Sequence, residues 1–231
     1  MHPRLTGPRA PEPGRRTYLD GVRAAAPIGV AAFAFGVSFG VLARSAGMGR
    51  VAPLVMSLTT FAGSAQFAAA SILGAGGGVV TAVVAAVLLN LRYGPIGLSA
   101  ATTLRGPWWR RALTAQLIVD ESWAIAQRDD GRLDRHLLVG AGLLLLVGWS
   151  AGTAVGVFAG DLVADPEALG LDAAFPALFL ALLWQQARER SRLLAALGGA
   201  AIAAVLLPFA GAGIPIVAAS LASLVGARRP A

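Results

Sequence analysis

The chain has 231 residues, of which 56% are hydrophobic and only 13% charged, with a mean hydropathy of +0.69. That balance excludes an ordinary soluble domain, in which about a quarter of the residues are charged, and indicates a multi-span membrane protein. The formal net charge is +7 and there is no cysteine, which excludes disulfides, thiolate metal sites and cysteine nucleophiles.

The basic residues are all arginines, and they sit between apolar runs as topology signals do. The positive balance therefore does not argue for a nucleic-acid partner. His2 and His136 fall outside the apolar runs, so no histidine metal cluster is expected, and no cofactor is called for.

Residues 1–21 open with "MHPRLTGPRAPEPGRR", rich in Pro, Gly and Arg. With almost nothing apolar to bury, they are expected to be a disordered cytoplasmic tail. "GRRTYLDGV" looks slightly like a twin-arginine export signal, but further apolar runs follow it where such a signal precedes a soluble domain. Residues 22–227 form the membrane domain, and 228–231 a short C-terminal tail.

A helix needs about 20 residues to cross about 30 Å of hydrocarbon. The first candidate is Val22 to Ala43. The second is Val51 to Leu73, with "FAGSAQFAAA" (61–70) near its middle. Gly63 weakens a helix and allows close approach, and Ser57, Thr59, Thr60, Ser64 and Ser71 add hydroxyls. Two readings stay open. Gln66 ties helices together in a close-packed interface, or Phe61, Gly63, Ser64 and Gln66 belong to an unwound segment that meets a polar solute, with Phe61 and Phe67 as apolar walls.

The third region, Val79 to Leu104, is long for one span and is interrupted by "NLRYGP". Pro95 removes a donor and clashes with the Leu91 carbonyl, and Gly94 before it is disfavoured as helix. A helix break is expected at Gly94–Pro95. Arg92 beside it is costly at membrane depth, by roughly 3 kcal/mol or more at the centre. Either two short helices turn at the interface and Arg92 snorkels, or Asn90 and Arg92 line a solute cavity. In the second case Arg92 offers its fork of donors to a carboxylate.

The fourth region, Ala112 to Gln127, carries "DESW". Read as one helix, it aligns Gln116, Asp120 and Gln127 in a polar stripe and puts Glu121 on an apolar face with Leu117, Ile118 and Ile125. Burial there penalises the charged form, which makes Glu121, with Asp120, a candidate proton carrier. The alternatives are an interfacial helix with both acids in headgroup water, or an acid that neutralises Arg92.

Leu137 to Gly160 follows, with Gly148, Gly152, Gly156 and Gly160 at four-residue spacing, a strong helix-packing signal. "AAFAFGVSFGVLA" (31–43) and "WSAGTAVGVFAGDLV" (149–163) are a candidate internal repeat, as in many transporters. Ala173 to Ala187, Leu193 to Pro208 and Ile214 to Gly226 complete the runs.

The arginines of the tail, of "RDDGRLDRH", of "RERSR" and of the C-terminus are expected inside, and the acidic "DLVADPEALGLD" outside. Eight crossings with both termini cytoplasmic fit, except that "RGPWWRR" (105–111) lies outside. If Ala112–Gln127 is re-entrant, the count is seven and the tail lies outside against its own arginines. The fold class is thus an all-α integral membrane bundle of seven or eight transmembrane helices, some interrupted.

An intramembrane hydrolase is disfavoured, because no histidine lies in an apolar run to activate Ser64. A structural subunit whose partner holds the pore is a further alternative.

"FAGSAQFAA", "NLRYGPIGLS" and "VDESWAI", in this order, together with "PIGVAAFAFGVSFGVLA" upstream, resemble the AzlC family, the large subunits of two-component branched-chain amino acid exporters. The resemblance covers nearly the whole chain after the tail. It implies outward transport of leucine, isoleucine, valine and methionine, driven by the proton gradient. It also implies a small AzlD-type membrane subunit as partner. It does not assign the substrate residues.

Overall fold

The computed structural model describes residues 16–128, 131–159, 180, 190–210 and 214–220. Among these, the regular elements are all helices; one isolated antiparallel bridge, Gln127 with Leu133, closes a turn. Gly160, the tail before residue 16, the 173–187 run apart from Leu180, and the C-terminal arginines lie outside the described residues.

Helix α1 (Tyr18–Ser45) begins at a capping box. The Thr17 N–H donates to Asp20 Oδ2 (2.8 Å), and Thr17 Oγ1 accepts the Asp20 N–H (3.3 Å). It pairs along its length with α8 (Arg135–Ala159). These are the two described helices long and apolar enough to cross a membrane unaided.

The pair runs parallel. Gly21 meets Leu137 and Ala141, Gly36 meets Trp149 and Thr153, and Gly40 meets Val157. The contacts are reciprocal. A Cβ on Gly36 would strike the Trp149 carbonyl oxygen, and one on Gly152 the Phe33 carbonyl oxygen. Four residues on, Gly40 faces the Thr153 carbonyl and Gly156 that of Val37. Gly36 and Gly152, and likewise Gly40 and Gly156, thus play equivalent parts, each against the other helix's backbone, so the two resembling segments of the sequence face each other along the seam. Small residues let the backbones approach this closely. Gly148 joins the seam opposite Gly29.

The second expected crossing is a hairpin instead. Helix α2 (Val51–Thr59) starts near the C-terminal end of α1 and runs inward until Ser57 reaches Trp149 and Thr153. The chain reverses over Thr60–Ala62, and α3 (Gly63–Gly74) runs back out. Gly63 lies against the Trp149 ring, Phe67 against Phe39, and Gly74 against Ala46. Both ends of 51–74 therefore sit at the same end of the bundle. The reversal is built on Phe61, the one described non-glycine residue with positive φ (42°), and on extended Ala62. A Cβ at Gly63 would come within 2.9 Å of the Trp149 ring, so glycine is what lets the turn seat there.

Helix α4 (Val79–Asn90) returns beside α3, packing Ala82 and Ala85 on Ala69 and Ile72. Helix α5 (Tyr93–Ala100) continues it with a 45° bend, a deflection and not a reversal. The break falls at Leu91–Arg92, one turn before the expected Gly94–Pro95, which occupy the first turn of α5. Pro95 has no N–H to offer the Leu91 carbonyl, and the Gly94 N–H satisfies it instead (3.0 Å). A first helical turn is where a missing donor costs least.

The expected single helix 112–127 is also two: α6 (Trp108–Ala115) and α7 (Asp120–Ala126), with Val119 extended between them. The polar stripe of Gln116, Asp120 and Gln127 therefore does not form. Ser122 Oγ accepts the Val119 N–H (2.9 Å) and donates to the Leu117 carbonyl (2.8 Å), a local bonding choice that competes with helix. Helix α7 runs antiparallel to α8, from Val119 near Leu145 to Ala126 against Leu137 and Leu138. Helix α9 (Arg190–Leu206) packs on α10 (Ile214–Ser220), which touches α4.

Candidate functional site

The three interruptions meet around one cavity of about 140 Å³, roughly ten times the minimum needed to hold one water. Its walls differ in character. Ile28, Ala31, Ala32 and Phe35 of α1, with Leu145 and Trp149 of α8, make an apolar side. Ser64, Arg92, Tyr93, Asp120 and Glu121 make a polar side, and Phe61, Gly63 and Val119 close the ends.

Arg92 is the hub of the polar side. Its Nη2 forms an ion pair with Asp120 Oδ2 (3.1 Å) and donates to Ser64 Oγ (3.1 Å). The guanidinium lies 5.2 Å from the Tyr93 ring centroid, within cation–π range. One side chain at the α4–α5 bend thus reaches α3, α5 and α7. Both charged side chains stay open to the cavity, at 38% and 39% exposure. Asp120 and Glu121 occupy the first turn of α7, where the helix dipole favours negative charge.

Of the residues singled out in the sequence, Phe61, Gly63, Ser64, Arg92, Asp120 and Glu121 come together here. Gln66 and Asn90 do not line the cavity. Gln66 is fully buried behind the 60–62 turn, where its Oε1 accepts the Ala62 N–H (3.2 Å) and its Nε2 donates to Ser57 Oγ (3.0 Å). Asn90 ends α4, and its Oδ1 has no hydrogen-bond partner among the described residues. Phe67 stands behind the wall, edge-on to Phe39 and Trp149.

The proton directions around Ser57 follow from its neighbours. Trp149 Nε1 (3.1 Å) and Gln66 Nε2 are donors only, so Ser57 Oγ accepts both. Its own proton then goes to Thr153 Oγ1 (2.8 Å), which donates to the Trp149 carbonyl (2.9 Å). The buried network pins the α2–α3 turn to α8 and fixes the indole that forms the cavity wall. Ser57→Ala leaves two buried N–H groups without an acceptor. It is expected to destabilise the protein by about 1–3 kcal/mol, read as a lower midpoint of thermal unfolding in detergent. Ser45→Ala, which removes an exposed bond to Leu42, is the control and should change little.

Trp149 and Tyr93 were not singled out from the sequence. The signal for Trp149 was a buried indole N–H in an otherwise apolar helix, which needs a partner. For Tyr93 it was the phenol adjoining Arg92. Among the described residues no three His, Asp or Glu side chains are grouped to hold a metal.

A family model described as AzlC protein matches residues 27–163. An uncharacterized membrane protein of Archaeoglobus fulgidus is 34% identical over 202 residues, covering 85% of this chain and 87% of its own. The branched-chain amino acid transport protein AzlC of Bacillus subtilis is 28% identical over 218 residues, covering 90% and 85%. The inner membrane protein YgaZ of Escherichia coli is 28% identical over 185 residues, covering 75% and 74%. No solved structure matches the chain.

Proposed function

The chain belongs to the AzlC family, and from that premise we propose that it is a secondary permease that exports branched-chain amino acids across the cytoplasmic membrane. The proposed solutes are leucine, isoleucine and valine, with methionine as a further one. A small AzlD-type subunit accompanies it, and protons drive it. The observation that carries the reading is the two-sided cavity. A solute with both charges and an apolar side chain matches a wall of Arg92, Asp120 and Ser64 opposite a wall of α1 and α8 side chains.

The solute's carboxylate would take Arg92, and its ammonium Asp120. The zwitterion thereby replaces the ion pair charge for charge, so neither Arg92 nor Asp120 is left without a counter-charge. Glu121, on the same wall, is the proposed proton carrier.

The path of the described residues supports three crossings in its first part, α1, α4 with α5, and α8, and counting the three later apolar runs of the sequence as crossings gives a revised topology of six. The α2–α3 hairpin enters from the outer end. The α6–α7 segment enters from the cytoplasmic end, because α5 ends beside α7, with Trp123 Nε1 donating to Ser99 Oγ (2.8 Å). Arg105, Arg110 and Arg111 then join Arg16, Arg23, Arg128, Arg132 and Arg135 on the cytoplasmic side. Among the described arginines only Arg44 and Arg50 remain at the outer end. That satisfies the positive-inside rule better than seven or eight crossings do.

The native chain has no cysteine, so single-cysteine variants report cleanly. Arg50→Cys and Gly78→Cys should both react with an impermeant thiol reagent from outside, and Arg105→Cys from inside. Opposite sidedness at positions 50 and 78 would restore a crossing over 51–73 and remove this topology.

The activity itself is tested by leucine efflux from cells fed leucine dipeptides, with and without the small subunit. Unchanged efflux in Glu121→Gln would eliminate the proton role. Efflux of another zwitterion in place of leucine from a labelled panel would reassign the solute.

A further inference from the structure

A second cavity of about 280 Å³ lies on the far side of the α2–α3 turn. Thr60, Gly97, Leu104, Ala115 and Gln116 line it, and it shares two residues with the first: Phe61 and Tyr93. Both cavities thus border on the same two side chains. The second cavity sits between α5 and the end of α6, toward the end of the bundle that carries Arg105, Arg110 and Arg111.

We propose that this second cavity is the cytoplasmic station of the solute path, and that Phe61 with Tyr93 is the barrier the solute passes to reach the Arg92–Asp120 wall. The proposal rests on the transport reading, and its occupant is the same zwitterionic solute in transit. Three features place a movable barrier here. Phe61 holds a backbone conformation that a side-chain-bearing residue rarely adopts (φ 42°), in a turn between two short helices, where a change of φ and ψ is absorbed locally. Tyr93 opens α5 just past the α4–α5 bend, so a change in that bend carries its ring. Gln116 connects the two interruptions: its Nε2 donates to the Leu58 carbonyl (3.0 Å) and the Thr59 carbonyl (2.9 Å). The end of α6 therefore holds the last carbonyls of α2 and, through them, the Phe61 turn. We assign Gln116 as a positioning residue for the barrier.

Thiol labelling of the full chain with its small subunit, in inside-out vesicles, tests this. The probe is an impermeant methanethiosulfonate added from the cytoplasmic side. Ala115→Cys, in the second cavity, should react with Phe61 present or replaced. Ala32→Cys, in the first, should react slowly. Its rate should rise at least about tenfold when combined with Phe61→Gly, as the lifting of a steric barrier gives. Glycine tolerates the positive φ of the turn, and Tyr93→Ala provides a second route to the same opening should the glycine variant fail to fold. Protection of Ala115→Cys from the cytoplasmic side would overturn the station. Equal Ala32→Cys rates with and without Phe61→Gly and Tyr93→Ala would overturn the barrier. Labelling requires no solute, so a chain that exports something other than leucine passes or fails this test independently. Slowing of Ala32→Cys labelling by added leucine bears on the solute assignment alone.

Discussion

Asp120→Ala and Arg92→Ala are each expected to lower the initial rate of leucine efflux at least about tenfold, equivalent to about 1.4 kcal/mol, while leaving the protein folded. The two halves of that expectation have different physical sources. Both side chains are more than a third exposed to the cavity, and an ion pair in such a setting contributes only about 0–1 kcal/mol to stability. Thermal midpoints should therefore move little. Transport is another matter, because either substitution leaves one unpaired charge facing the solute and removes one of the solute's two counter-charges. The double variant Arg92→Ala/Asp120→Ala should transport no worse than the weaker single, since each single already breaks the same unit. Arg92→Lys separates charge from shape. It keeps the positive charge but loses the planar fork that reaches Asp120 and Ser64 together, and it should lie nearer the alanine variant than the native chain. Native efflux by Arg92→Lys would remove the fork from the mechanism.

The second large effect is on assembly. Gly36→Ala or Gly152→Ala inserts a methyl group into the facing backbone carbonyl, where α1 and α8 are in contact. In an open helix this exchange stabilises by up to about 1 kcal/mol through propensity. Here the helices must separate, and overpacking of this kind costs about 1–3 kcal/mol. Each variant should melt lower in detergent. The double variant should lose less than the sum, because one separation relieves both clashes. Gly97→Ala is the internal control: nothing lies within 4 Å of its would-be Cβ, so its midpoint should hold or rise. A fall equal to that of Gly36→Ala would mean that the glycine seam is not what holds the pair.

The sequence announced the break beside Arg92, but neither the one at 116–119 nor which way the chain travels after Thr60. Hydropathy over 51–73 has the length of a crossing, and length carries no direction. The reversal depends on the φ of Phe61 and on the contact of Gly63 with Trp149, a residue far along the chain, and neither leaves a mark in local composition. An acid neutralising Arg92 was readable as one alternative, because two charges at membrane depth need each other, but the choice of Asp120 over Glu121 rests on the geometry of α7. Gln66 was ambiguous in sequence because a buried carboxamide serves equally well as glue or as ligand; the Ser57 hydroxyl beside it decides where it points. The seam of Gly148, Gly152 and Gly156 was legible as a packing face, and its partner proved to be the similar stretch of α1. The break at Pro95 moved by one turn because its consequence is felt at the carbonyl it cannot satisfy.

The parallel pairing of α1 with α8 also sets an order of events during synthesis. Helix α1 leaves the ribosome long before α8 does, and soon after it comes Ser57, whose buried partners Trp149 and Thr153 have not yet been made. Until α8 inserts, the Ser57 hydroxyl of the α2–α3 hairpin lacks its final acceptor, Thr153 Oγ1, a costly condition in hydrocarbon. The contacts that complete it are among the most distant in the described chain, and such closures come late. The first half of the protein must therefore be held, by the insertion machinery or by water at the membrane surface, until the second half arrives. Chains truncated before Trp149 should be degraded quickly, while chains extending past Val157 should persist.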